Sequence, residues 1–194
     1  MAQPERFHQM TAEEYLEFER SSPERHEFRD GEVWAMAGAK NRHNRAAMNL
    51  RGLLFIAARG TPCQVCDSDT KVRVDGSRMY YYPDLAFTCE QINDDLEYIT
   101  APCLIVEVLS PSTEKFDRGL KFEDYQTLAS LETYVLVTPT RRKLEVFRRV
   151  TSTKWEYERL EGDDAVLELT CPKVALKLAD IYEGVSVVLG VTEE

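Results

Sequence analysis

The stretch PCLIVEVLS, residues 102–110, decides the fold. A nearly continuous apolar run of this length reads as a strand buried on both faces, which belongs at the centre of a sheet. Downstream, 114–129 reads as a helix and TYVLVT, 133–138, as a second buried strand. Strand, crossover helix and strand together predict a parallel, right-handed unit. The one charged residue between Cys103 and Leu109 is Glu107. A carboxylate in the middle of a buried strand is costly unless it is paired or bound to a metal.

Working upstream, 63–74 and 83–89 also read as strands, the latter with Asp84 at its start directly after Pro83. The series Thr11-Ala-Glu-Glu14 is a capping box that starts a helix running to about Ser21. Asp30-Gly31 lies between two strand-like runs in 25–37 and suits a tight hairpin turn. His43, Ala47, Leu50, Leu54 and Ala57 recur at helical spacing over 42–58, and Gly60 and Pro62 end that helix. Beyond 138, KLEVFRRV and KWEYERLE pair as antiparallel strands, and 173–190 alternates short apolar runs with turns.

The chain of 194 residues falls within the size of one domain, 1–194, with 43% hydrophobic and 30% charged residues and only 9 Gly and 8 Pro, so an ordinary globular core is expected. The first residues carry no signal-like apolar region and no window approaches the ~18 apolar residues of a membrane span, so no membrane partner and a cytoplasmic location are expected. Five cysteines are an odd number, and reduced thiols packed as small hydrophobes fit better than a disulfide framework. Cys63-Gln-Val-Cys66 resembles a ligand pair, but the other cysteines are scattered singly, which disfavours structural zinc. The net charge of −10 counts against simple DNA binding, because phosphate binders normally carry excess Lys and Arg.

Lys121 offers an independent clue. At 100° per residue, Tyr125 and Leu128 fall within about 40° of it, with Leu120 and Phe122 flanking at about 100°. The lysine thus sits at the centre of the apolar arc and points at the sheet, towards an anion such as Glu107 or a phosphate. Asp117, one turn earlier, shares that face. Two strand-borne acids, Asp84 and Glu107, supply hard oxygen ligands suited to Mg²⁺ or Mn²⁺, and a lysine beside them completes the residue set for phosphodiester hydrolysis. The competing reading is a buried Glu107–Lys121 salt bridge fixing helix to sheet, with Asp84 capping a turn. Periodicity alone does not separate the two.

The succession PDLAF, PCLIVEVLSPST and DRGLKFEDY resembles the Uma-two family, assigned as bacterial endonucleases within the PD-(D/E)XK superfamily. HEFRDGEVWAMAGAKNRHNRAAMNL upstream is similar to the family's glutamate, Asp-Gly turn, Ala-Gly step and histidine. The resemblance covers most of the chain, and EVLSPST is its most distinctive part. It implies an α/β (α+β) fold: a restriction-endonuclease-like mixed sheet core flanked by helices. It also implies a metal-dependent endonuclease acting on nucleic acid, expected to be DNA, as a homodimer. Asp84 would be the acid of PD, Glu107 the second acid, the Val108 carbonyl a further metal ligand, and Glu27 an auxiliary acid. Position 109 departs from the pattern, since Leu109 stands where E-x-K would have lysine. The resemblance places that lysine on the following helix, at Lys121.

His43, at the first turn of its helix, is a candidate phosphate contact or a satisfied structural histidine. Ser110 and Thr113 are candidate substrate contacts or ordinary helix-start residues. Tyr80, Tyr81 and Tyr82 suit base stacking or a strand edge. Arg141, Arg142, Lys143, Arg148 and Arg149 form the dense basic cluster, a backbone contact or a solvated hairpin. Two alternatives to a DNase stand beside it: a non-cleaving nuclease-fold binding or regulatory module, and an acidic interaction domain with only a buried ion-pair network.

Overall fold

In the computed structural model, residues 6–7, 9–36, 38–93 and 95–187 are described. Strand β1 (Arg6–Phe7) precedes helix α1 (Ala12–Ser21). The capping box forms as expected: the Thr11 amide donates to Glu14 Oε2 at 2.8 Å and the Glu14 amide to Thr11 Oγ1 at 3.2 Å. Strands β2 (His26–Arg29) and β3 (Glu32–Ala35) make the hairpin, and both turn residues take positive φ, 48° at Asp30 and 93° at Gly31. Helix α2 (Asn41–Ala58) follows, burying Ala46, Leu50, Leu54 and Ala58.

The strand expected over 63–74 is two strands, β4 (Gln64–Asp67) and β5 (Lys71–Val74), which enter different sheets. A turn at 68–70 separates them, with the Thr70 amide donating to the Asp67 carbonyl. Strands β6 (Met79–Tyr81), β7 (Leu85–Thr88), β8 (Tyr98–Ile99) and β9 (Pro102–Val108) follow. The helix expected over 114–129 is also broken, into α3 (Glu114–Arg118) and α4 (Leu120–Tyr125). Gly119 between them takes φ −114° and ψ −108°, and a Cβ there would stand 3.2 Å from the Lys115 carbonyl oxygen. Strands β10 (Thr133–Thr138), β11 (Lys143–Arg149) and β12 (Trp155–Glu161) match the reading; β13 (Val166–Thr170) pairs with β14 (Lys173–Lys177) before α5 (Leu178–Ile181). Ala37 of the Ala-Gly step and the apolar run beyond Val187 lie outside the described residues.

One sheet has the order β12-β11-β10-β9-β7-β4, with β9 and β10 parallel and the other pairs antiparallel. The other, β1-β3-β2-β6-β5-β8, is likewise mixed. The alternation of β9 explains the layering. Leu104, Val106 and Val108 pack towards α2, α5 and the β13–β14 hairpin, while Ile105 and Leu109 join the core containing Tyr125 and Tyr134. Glu107 shares that second face by the same two-residue period. Among the described residues, no helix is long and apolar enough to cross a membrane.

The cysteines depart from the reading. Cys63 is joined to Cys89 and Cys103 to Cys171, leaving Cys66 as a buried thiol. Partners 26 and 68 residues apart are brought together by the sheet and the β13–β14 turn, which spacing along the chain did not reveal.

Candidate functional site

Strand pairing brings the two acids together. Leu85 of β7 lies opposite Val106 of β9, so one step further along the antiparallel ladder Asp84 comes opposite Glu107. The Asp84 amide points at Glu107 Oε2 at 3.4 Å, and Asp84 Oδ2 accepts the Val108 amide at 2.7 Å. Asp84 therefore does more than cap a turn: it is tied to the catalytic-candidate strand itself.

Lys121 of α4 reaches this point from the helix layer. Its Nζ stands 2.9 Å from Glu107 Oε1 and 2.8 Å from Glu27 Oε1, with Asp117 Oδ1 at 3.9 Å. All four side chains are at most 7% exposed. The break at Gly119 leaves the arc around Lys121, Tyr125 and Leu128 intact, since all three are buried, but puts Leu120 at 49% exposure outside it. Glu27 is not an exposed hairpin carboxylate: it is 5% exposed and also accepts the Tyr82 amide at 3.1 Å.

Burial pushes the Glu107 carboxyl well above the ordinary carboxylate range; Lys121 opposes this, and Asp117, Asp84 and Glu27 reinforce it. Burial likewise raises Asp117. For Lys121, burial favours the neutral amine, but Glu107, Glu27 and Asp117 outweigh it and hold the ammonium. The cluster thus gathers three carboxyl groups, Glu27, Glu107 and Asp117, around one lysine, with Asp84 beside Glu107. Asp84 Oδ1 takes no hydrogen bond among the described residues, and Glu107 Oε2 receives only the long one from Asp84. Hard oxygen donors short of positive charge suit Mg²⁺ or Mn²⁺, so the residues fit the cation that the sequence implies.

His43 of α2 meets Asp84, its Nε2 3.2 Å from Asp84 Oδ2. Burial lowers its pKa, yet the hydrogen bond and charge of Asp84, with Asn44 and the Val108 backbone, raise it above the ordinary histidine value. Nδ1 is buried without a hydrogen-bond partner among the described residues. Ser110 and Thr113 lie beyond the end of β9, where their hydroxyls meet at 3.0 Å and Ser110 Oγ accepts the Thr113 amide at 3.2 Å. This is the bonding of a turn that starts a helix.

Two other candidates fare differently. Tyr80, Tyr81 and Tyr82 are at most 2% exposed, so their rings have no face free for bases. Instead, Tyr81 donates to Asp124 and Tyr82 to Glu19. The basic cluster is largely spent internally. Arg142 pairs with Asp163, Arg148 with Glu158 and Lys143 with Glu145, while Arg149 donates to the carbonyls of Leu131, Gln126, Leu128 and Ser152.

Sequence reasoning missed the groups that hold the site together. Tyr125 donates to Glu107 Oε1 at 3.3 Å, and its place four residues after Lys121 was the available signal. Arg29 grips Asp124 through two bonds, 2.8 and 3.2 Å, tying β2 to α4 and so Glu27 to Lys121. Buried Glu19 binds the His26 amide and ring and the Tyr82 hydroxyl, fastening α1 beneath the hairpin. Nothing in the spacing of those residues announces either network.

The model of the Uma2 family, described as "Putative restriction endonuclease", matches residues 12–179. Two proteins of Synechocystis sp., both named only as uncharacterized, are similar. One is 33% identical over 181 residues, 93% of this chain and 95% of its own. The other is 33% identical over 168 residues, 85% of this chain and 95% of its own. A crystal structure from Anabaena variabilis, titled as that of "a putative nuclease belonging to DUF820", superposes with a TM-score of 0.72. It covers 89% of this chain and 97% of that one at 15% identity, a likeness of fold.

Proposed function

The chain belongs to the Uma2 family, and from that premise we propose that it is a Mg²⁺- or Mn²⁺-dependent endonuclease that hydrolyses phosphodiester bonds of DNA. The observation that carries this reading is the meeting of Asp84 and Glu107 on neighbouring strands with Lys121 Nζ 2.9 Å from Glu107. Asp84, Glu107 and the Val108 carbonyl would hold the cation, which when bound supplies a Lewis acid for water and phosphate. Lys121 stabilises negative charge developing on the phosphate and opposes the burial that raises the Glu107 carboxyl beside it. Glu27, sharing the same ammonium, fixes Lys121 and serves as auxiliary acid. His43 orients Asp84 and offers a donor to a substrate phosphate, and Ser110 and Thr113 are proposed contacts at the end of β9. A dimer, which would let two sites cut two strands, belongs to the same proposal and is read by light scattering.

A second reading has its own support. With a net charge of −10 and Arg142, Arg148 and Arg149 engaged within the chain, the fold would serve as a binding or regulatory module that does not cut. Nicking of supercoiled DNA separates the two. The endonuclease reading expects nicking that requires divalent metal and falls by about 10²-fold or more in Asp84→Ala, Glu107→Ala and Lys121→Met. Metal-independent nicking, or nicking undiminished in these variants, removes it. No nicking together with no Mn²⁺ binding at millimolar concentration favours the module.

A further inference from the structure

Four of the five cysteines converge on one place away from the acidic cluster. Cys63 precedes β4, Cys89 follows β7, Cys103 lies in β9 and Cys171 in the turn between β13 and β14. The Sγ atoms of Cys89, Cys103 and Cys171 all lie within 4.8 Å of one another, Cys89 and Cys171 are 3.8 Å apart, and Cys63 is joined to Cys89. From Cys103 to Glu107 is about 13 Å of extended strand, so this cluster and the carboxylates sit at opposite ends of β9.

We infer that, with its thiols reduced, this cluster is a structural zinc site with Cys63, Cys89, Cys103 and Cys171 as ligands. A zinc ion with sulfurs at about 2.3 Å sets them about 3.8 Å apart at the corners of a tetrahedron. Cys89 and Cys171 already stand 3.8 Å apart, and the two bonded pairs, Cys63–Cys89 and Cys103–Cys171, would open on reduction. Four cysteine ligands close the coordination shell, so the ion has no open position for chemistry and acts as a clamp of the β13–β14 turn on the central sheet. The local Cys63-Gln-Val-Cys66 pair misleads: Cys66 lies in the core with Val72, Ala86 and Ile105 on the other side of β4, and only Cys63 joins the cluster. Reaching the zinc form consumes a dithiol reductant at each bridge, two electrons and two protons per disulfide, to give four thiols. Zn²⁺ then displaces four protons to form four Zn–S bonds.

The test uses the full chain reduced with a dithiol, freed of reductant under nitrogen and titrated with Co²⁺, then Zn²⁺. The expected result is the visible d–d absorption of tetrahedral cobalt thiolate, saturating at one ion per chain and bleached by Zn²⁺. Cys89→Ser and Cys171→Ser should lose the band. Cys66→Ser should keep it, and so should Asp84→Ala, which separates this site from the carboxylates whatever the outcome with DNA. No thiolate band in the wild-type chain, or a band unchanged in both Cys89→Ser and Cys171→Ser, overturns the inference. So does protein freshly isolated under nitrogen with thiols blocked that carries both disulfides and no zinc.

Discussion

Replacing Lys121 by Met removes the ammonium from between Glu107 and Glu27, 2.9 and 2.8 Å away, while preserving most of the side chain's apolar volume. The cluster is then left with one more uncompensated carboxylate in a site at most 7% exposed. Its cheapest escape is to take up a proton. For a glutamate of ordinary pKa about 4.3, that costs about 1.36 kcal/mol per pH unit, hence roughly 3.7 kcal/mol at pH 7 and roughly 2.3 at pH 6. The figure at pH 7 falls inside the range of about 3–5 kcal/mol for breaking a buried ion pair. Urea unfolding of wild type and Lys121→Met without metal, at pH 5, 6 and 7, reads it directly. The destabilisation should be about 3–4 kcal/mol at pH 7 and shrink by about 1.4 kcal/mol per unit as pH falls. A loss below about 1 kcal/mol at pH 7, or one flat across this range, refutes the argument that Lys121 is the charge partner of the buried acids.

Asp124→Asn weakens the two-bond grip of Arg29 and the Tyr81 hydrogen bond, so it should cost about 1.5–3 kcal/mol in urea and slow DNA nicking by loosening Lys121 relative to Glu27. Thr11→Ala removes the N-cap of α1 and should cost about 1 kcal/mol, with nicking unchanged. Glu145 is held below the ordinary carboxylate value: burial opposes this, and Arg118 and Lys143 outweigh it. A depressed folded pKa gives stability present above the unfolded pKa and lost as pH falls through the folded one. The stability gap between wild type and Glu145→Gln should therefore be full at pH 6 and close below about pH 4; a gap that widens on acidification contradicts the pairing.

What could be read from the chain, and what could not, follows from how local each cause is. The β9–α–β10 unit was legible because a doubly buried strand must be apolar throughout, which made Glu107 conspicuous. Lys121 was legible because a charge at the centre of an apolar helical face needs an explanation. The break at Gly119 was hidden, since the apolar period of 114–129 continues through a glycine at which an added Cβ would crowd the Lys115 carbonyl oxygen, a contact that only the folded backbone reveals. The split of 63–74 was hidden for a different reason: β4 and β5 are both strands, and only their assignment to separate sheets reveals the turn. The Arg29–Asp124 bond and the converging cysteines depend on residues far apart in the chain, where neither period nor propensity carries a signal.

The measurement closest to the central claim is anomalous diffraction from a crystal of the full chain soaked with Mn²⁺. The account predicts one ion with oxygen ligands from both Asp84 and Glu107 at about 2.1 Å, and Lys121 Nζ beside it without coordinating. Well-ordered Asp84 and Glu107 carboxylates at saturating Mn²⁺ with no ion between them, Glu107 still paired to Lys121, would contradict it.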